Sequence, residues 1–235
     1  MKKQSLVILI SLTSFSIACF TVYFFIKFYN VPSEINAQDY EYVCTMIKAL
    51  DDQAKDRPKD FKNKEWVVKR LENMVNFDQS IRKVNSTLFD QKPFYSLIEK
   101  INKANTQDLK AILKQYYWIT ISEFGKEADH NAWLLMQHQD NDLKFQEEIL
   151  QRLKNLYPKG ETDPSNYAYL YDRIAIAKGK PQLFGTQGSL IADKWQPAPI
   201  EDKENVDQRR KKMGMPLYHE YIELINKSYN LKPAS

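Results

Sequence analysis

His138 and Asp142 stand one helical turn apart in "WLLMQHQDNDLKFQ", Trp133 to Gln146. An imidazole and a carboxylate at that spacing can form a general base and the group that orients it. Asp78 supplies a second carboxylate in "DQSIR", with Arg82 one turn further on. "AYLYDR" adds Asp172 and Arg173. His138, Asp142 and Asp78 would also suit a hard divalent metal or Fe(II), although their spacing is not diagnostic of a metal site. The two arginines could instead clamp a carboxylate or phosphate on a small ligand. No serine or cysteine stands in a nucleophile motif, so a covalent triad is not expected.

These polar groups interrupt apolar stripes. In steps of three and four, one stripe reads Leu135, His138, Asp142, Phe145, Ile149, Leu153, Leu156. Gln146 lies one turn beyond Asp142. Asp140 points to the other side of a regular helix, and only a local distortion would bring it in. A second stripe reads Val67, Leu71, Met74, Asp78, Ile81, with Asp78 as the intrusion. Leu170, Arg173 and Ala177 form a third, with Asp172 on the adjacent face. Burying an unpaired carboxylate is costly, so Asp78, His138, Asp142, Arg82 and Arg173 are expected to meet one another, or a ligand, where helices cross. Either the meeting point is an open site, or it is a sealed network that fixes helix packing.

The elements that must position these residues read as helices. One covers Asp39 to about Asp56 and a second Glu65 to about Asn85. Pro93 opens a short segment through Ile101. Asn105 or Thr106 can cap a helix that runs to Trp118. A single long helix covers about Ala128 to Leu156. Asp163 caps the next, which has Pro164 in its first turn and ends at Gly179 and Pro181. Pro181 to Glu201 reads as a long loop. Two last helices cover about Lys203 to Met213 and Pro216 to Tyr229. No alternating run is long enough for a strand. The expectation is an all-α, single multi-helix domain. "GTQGS" (Gly185 to Ser189) reads as a plain turn, the alternative being backbone N–H groups offered to an anion. "RRKK" (Arg209 to Lys212) and the basic stretch Lys55 to Arg70 read as solvated faces; the alternative is Arg209 or Arg210 reaching back to the polar network for the former, and an anionic lipid or cell-wall contact for the latter. Trp118, Trp133 and Trp195 read as core and pocket wall.

Leu6 to Ile26 carries no charge, and a helix of about 20 such residues spans a bilayer. Residues 1–30 are therefore expected to form an uncleaved membrane anchor, 31–38 a tether and 39–235 the helical domain. Lys2 and Lys3 orient the N-terminus to the cytoplasm. In a bacterium this gives a single-pass protein of the inner membrane with a periplasmic domain. A cleaved signal peptide and a lipoprotein acylated at Cys19 are the alternatives, and both also place the domain beyond that membrane. The chain has 235 residues, 34 of them basic and 30 acidic. Lys2, Lys3 and Lys27 flank the apolar run, so the rest is almost balanced, which argues against a nucleic-acid partner. Cys19 and Cys44 offer neither a disulfide framework nor a cysteine-based zinc site. Three histidines limit metal sites further. No cofactor is the first expectation, a divalent metal the second.

"DQSIR", "WITISEFGKEADHNAWLLMQHQDNDLKFQ", "AYLYDRIAIAKGKPQLFGTQ" and "PAPIEDKENVDQRRKKMGMPLYHEY" together resemble an uncharacterised bacterial family, domain of unknown function 6624. The resemblance covers roughly Asn63 to Tyr221. Ile119 departs from it, standing where the family tends to have proline. By position it implies a site drawn from Asp78, Gln79, Arg82, Thr120, Trp133, Gln137, His138, Asp140, Asp142, Phe145 and Gln146. It adds Asp172, Arg173, Gly185, Thr186, Gln187, Glu201, Asp202, Asp207, Arg209 and Arg210. Asp140 and Gln187 gain weight from it beyond what periodicity gives. It implies no activity. The expected site is therefore His138, Asp142 and Asp78 for chemistry or metal, with Arg82, Gln137, Asp140, Gln146, Asp172, Arg173 and Gln187 for ligand. The first functional expectation is a membrane-held module that binds a small polar or anionic ligand or peptide. A hydrolase using His138 with Asp142 or Asp78, with or without a metal, is the second. A structural envelope protein with a sealed network is the third.

Overall fold

The computed structural model describes residues 61–82, 92–191 and 194–228, together with Thr45. The expected anchor, tether and helix over Asp39 to Asp56 lie outside the described residues, as does the side chain of Arg82. Among the described residues, no helix is long and apolar enough to cross a membrane.

Helix α1 spans Lys64–Arg82. Asn63 Oδ1 accepts the Trp66 N–H at 3.1 Å and starts it, as a short polar cap does. Val67, Leu71 and Met74 are fully buried along one row, and Asp78 continues that row. Helix α2 spans Lys92–Gln115. It runs antiparallel to α1, because Tyr116 Oη reaches the Lys62 carbonyl at one end and Asp108 meets Arg70 further along. The two segments expected around Asn105 are thus one helix, and Asn105 is a buried interior residue rather than a cap. Thr106 satisfies its hydroxyl on the Asn102 carbonyl at 2.6 Å, an i−4 bond that a threonine can make without ending the helix.

A short turn of helix, α3 (Ile121–Phe124), leads through Gly125 into α4 (Lys126–Gln137). Helix α5 follows at Leu143–Leu156. The single helix expected over residues 128–156 is therefore two helices. His138 leaves the helical region at φ −87°, ψ 8°, and Asp142 is non-helical at φ −133°, ψ 65°. Side chains stabilise this break from both ends. Asp142 caps α5 by accepting the Phe145 N–H at 3.1 Å. Gln146, fully buried, sends its amide back to the carbonyls of Met136 and Gln137 at the end of α4. Gln139 does the same for Leu135 at 3.0 Å.

Helix α6 spans Pro164–Ala177 and begins as expected, with Asp163 capping Ser165 N and Pro164 in the first turn. The main core lies between α1, α2, α4, α5 and α6 and includes Leu71, Met74, Leu109, Ile112, Trp118, Met136, Ile149, Leu153 and Leu170. Truncating one of its fully buried leucines costs about 2–5 kcal/mol.

The stretch expected as a loop holds a two-stranded antiparallel hairpin, β1 (Gly188–Ile191) with β2 (Lys194–Pro197). The described residues are mostly helical, with this one small sheet. Gly188 permits it, since a Cβ there would come within 2.5 Å of the Gln196 carbonyl and 2.6 Å of the Trp195 ring. A one-turn 3-10 helix, Lys203–Asn205, precedes α7 (Val206–Lys212), and α8 (Tyr218–Ser228) completes the described chain.

Candidate functional site

The break between α4 and α5 presents five consecutive residues, His138 to Asp142, against α1, α2 and α6. His138 Nδ1 lies 2.9 Å from Asp78 Oδ2 on α1, with the two side chains 13% and 5% exposed. The contact is at ion-pair distance, but the ring N–H is not aimed along it. Nδ1 is thus a buried nitrogen with no hydrogen bond among the described residues. Asp78 also accepts Gln79 Nε2 at 2.9 Å. The expected meeting of His138 with Asp78 is therefore made.

The expected pairing of His138 with Asp142 is not made. Once the helix breaks, Asp142 no longer lies one turn above His138 on a common face. It caps α5 and meets the Lys110 ammonium on α2 instead. That ammonium holds its carboxyl below the usual range, helped by the Phe145 N–H, and slight burial opposes them. His138, Asp142 and Asp78 accordingly do not converge as a metal triad. Among the described residues no three His, Cys, Asp or Glu side chains do.

The same break brings Asp140 in, as only a distortion could. Arg173 on α6 reaches it with two parallel bonds, Nε to Oδ1 and Nη2 to Oδ2, both 2.6 Å. Burial pushes the Asp140 carboxyl up. The Arg173 guanidinium outweighs this, with a smaller contribution from Gln146, so the net direction is down. Gln137 is half-buried at the last position of α4, and its carbonyl accepts Gln146. His138, Asp78, Asp140, Arg173 and Gln146 are thus brought to one turn.

Asp172 and Gln187 belong elsewhere. Successive residues on a helix point about 100° apart, so Asp172 faces away from Arg173. Asp172 is fully buried and accepts the N–H groups of Leu183 (2.8 Å), Phe184 (3.0 Å) and Thr186 (3.0 Å), and the Thr186 hydroxyl at 3.0 Å. The anion that the "GTQ" turn could bind is therefore a carboxylate of the same chain. Burial still pushes the Asp172 carboxyl up, against the pull of those four donors. Gln187 Nε2 bonds Thr186 Oγ1 at 3.0 Å, while its backbone is clipped by the buried Gln182 side chain. Arg209 and Arg210 are not a solvated face. Arg209 donates to the carbonyls of Leu183, Glu201 and Asp202. Arg210, fully buried, donates to Phe184 and Pro216 and lies under the Tyr221 ring at 4.7 Å. This second assembly fixes the loop and hairpin to α6, α7 and α8.

Two buried polar clusters escaped the reading of the sequence. Asp129 accepts Trp118 Nε1, Thr162 Oγ1, Asp163 N and Asn166 Nδ2 at 2.7, 2.7, 3.1 and 3.0 Å. Its spacing with Ala132 and Met136 was the available signal, since all three lie along one buried row. Arg70 pairs with Asp108 between α1 and α2. A cleft of about 370 Å³ also lies between α2 and α5, lined by Lys110, Lys114, Asp142, Phe145, Glu148 and Arg152 among others. Two of its cations are already paired, Lys110 with Asp142 and Arg152 with Glu148.

No curated protein and no solved structure matches this chain. One family does match, over residues 66–234, a span that contains both polar assemblies and both buried clusters. The chain belongs to that family, a family of unknown function, DUF6624.

Proposed function

We propose that the domain binds a small polar or anionic ligand, or a peptide end, at the turn formed by His138 to Asn141. One observation supports this above the others. Asp129 and Asp172 use both carboxylate oxygens in hydrogen bonds, as buried groups of a sealed network do. His138 Nδ1 is just as enclosed and makes none among the described residues. With Nδ1 turned to Asp78, the opposite ring nitrogen, Nε2, is the one that meets a ligand. Gln79 braces the Asp78 carboxylate, and the Arg173–Asp140 pair borders the turn. The uncharged run Leu6 to Ile26 supports a domain held outside a membrane by a retained helix.

The test is a thermal-shift screen of the full chain against small carboxylates, sugars and short peptides, repeated with His138→Gln. A hit that stabilises the wild type and loses its effect in the variant supports the reading. Hits equally strong in both would overturn it. A second reading is a hydrolase in which His138, oriented by Asp78, activates water. The 2.9 Å contact of that pair favours it. It predicts turnover of a hit compound that disappears in His138→Gln.

A further inference from the structure

The Arg173–Asp140 pair has one built-in half and one removable half. Arg173 projects from the middle of α6 and is 27% exposed, next in sequence to the buried anchor Asp172. Asp140 is 59% exposed and sits on a turn outside any helix. It nevertheless offers Arg173 two oxygens side by side, the arrangement with which any free carboxylate docks on a guanidinium fork. A solvent-screened pair of this kind is worth at most a small fraction of a domain's stability, so its partner is readily exchanged. His138 stands two residues away, and Gln146 lends a hydrogen bond to the same carboxylate.

We infer that Asp140 occupies, on Arg173, the position of a ligand's carboxylate, and so regulates entry to the turn. The ligand class is a molecule carrying a free carboxylate, whether a small acid or a peptide carboxyl terminus. This rests on the reading of the turn as a binding site and adds to it the group that is recognised and the group that competes. When a ligand enters, its carboxylate takes the fork, Asp140 turns to solvent, and the rest of the ligand lies toward His138. A planar two-oxygen anion matches the Nε and Nη2 donors; a tetrahedral phosphate matches them less well.

The experiment follows the Arg173 side-chain N–H signal by NMR in the full chain. The probes are acetate, the peptide Ala-Ala-Ala, its carboxyl-terminal amide, and inorganic phosphate. The variants are Asp140→Asn, Arg173→Lys and His138→Gln. Wild type should bind acetate or the free peptide weakly and ignore the amide. Asp140→Asn should bind roughly threefold to fivefold more tightly, the scale on which an exposed pair competes. Arg173→Lys keeps the charge and loses the fork, so in the double variant Asp140→Asn with Arg173→Lys, followed on backbone signals of the turn, that gain should vanish. Response to the peptide alone assigns a peptide carboxyl terminus, and response to acetate as well assigns small acids. Unchanged or weaker affinity in Asp140→Asn, or phosphate bound more tightly than acetate, overturns the inference. Binding that requires His138 but ignores both other substitutions also overturns it and leaves the proposed function standing. An Asp140→Asn gain that persists in His138→Gln supports the exchange and instead overturns the role given to His138.

Discussion

Arg173 Nε lies 2.6 Å from Asp140 Oδ1, and Nη2 lies the same distance from Oδ2. The folded state thereby holds the Asp140 carboxyl below its ordinary 3.8, the guanidinium outweighing the upward push of burial. A lowered carboxyl contributes stability that is fully present above the unfolded value. That contribution is lost as pH falls through the folded one. The gap between wild type and Asp140→Asn in urea denaturation should therefore be open near neutral pH and close progressively below pH 3.8. Asp140 is largely exposed, so solvent screening keeps the gap under about 1 kcal/mol. A gap of constant size down to strong acid would contradict the pairing.

Asp172 behaves differently because its partners are backbone donors. Three N–H groups and one hydroxyl converge on its two oxygens. Asp172→Asn keeps the shape but turns an NH2 group toward donors, leaving at least one of them unsatisfied. The cost should be about 1–3 kcal/mol per stranded donor. Hydrogen exchange should rise first at Leu183, Phe184 and Thr186, before the core helices respond. Its raised carboxyl adds a pH signature of the opposite sign to that of Asp140. The contribution of this group is most favourable below 3.8 and declines as pH rises through the folded value. Uniform exchange across the domain would show that Asp172 does not hold this loop in particular.

Arg70 and Asp108 are a buried ion pair joining α1 to α2, at 5% and 7% exposure. Removing one partner leaves a desolvated charge, so Asp108→Leu alone should cost about 3–5 kcal/mol. Arg70→Met combined with Asp108→Leu should recover most of that loss, because an apolar pair of similar volume avoids the desolvation cost. A denaturant series on the four proteins gives the coupling directly. If the double variant is as unstable as the single one, the pair carries more than charge compensation.

Much of the helix content was legible in the sequence, because α1, α6 and α8 each carry an apolar row and α6 has recognisable ends. Asp163 with Pro164 is the clearest example. The break at His138 was not legible. Leu135 and Phe145 stay in phase with a continuous 3.6-residue repeat, and no glycine or proline marks the turn. Its stabilisers are Gln139 and Gln146, whose amides satisfy helix-end carbonyls through geometry that periodicity does not encode. This is why Asp142 was read as His138's partner when it is a cap, and why Asp140 was read as facing away. Arg70–Asp108 was missed for a related reason. Each residue alone fits a charged helix face, and only the antiparallel packing of α1 on α2 reveals that both are buried. The hairpin escaped because its four-residue strands have no alternation long enough to register.

His138 should separate site from scaffold by what its loss does not do. Its ring is enclosed, yet Nδ1 makes no aligned hydrogen bond among the described residues, so His138→Gln removes little native bonding. The expected cost is under about 1 kcal/mol, against the 1–3 kcal/mol per donor that stranding a buried group commands. Asp78→Asn keeps an amide oxygen that can still accept from Gln79 Nε2. Each variant should unfold at a denaturant concentration close to that of the wild type while losing the ligand-induced stabilisation seen in the screen. The contrast is with Asp172→Asn, which should lose stability first. The two differ in bonding: Asp172 has both oxygens in hydrogen bonds, while His138 Nδ1 makes none among the described residues. If His138→Gln instead unfolds as readily as Asp172→Asn, the imidazole belongs to the packing of α1 against α4, and the turn is a sealed junction.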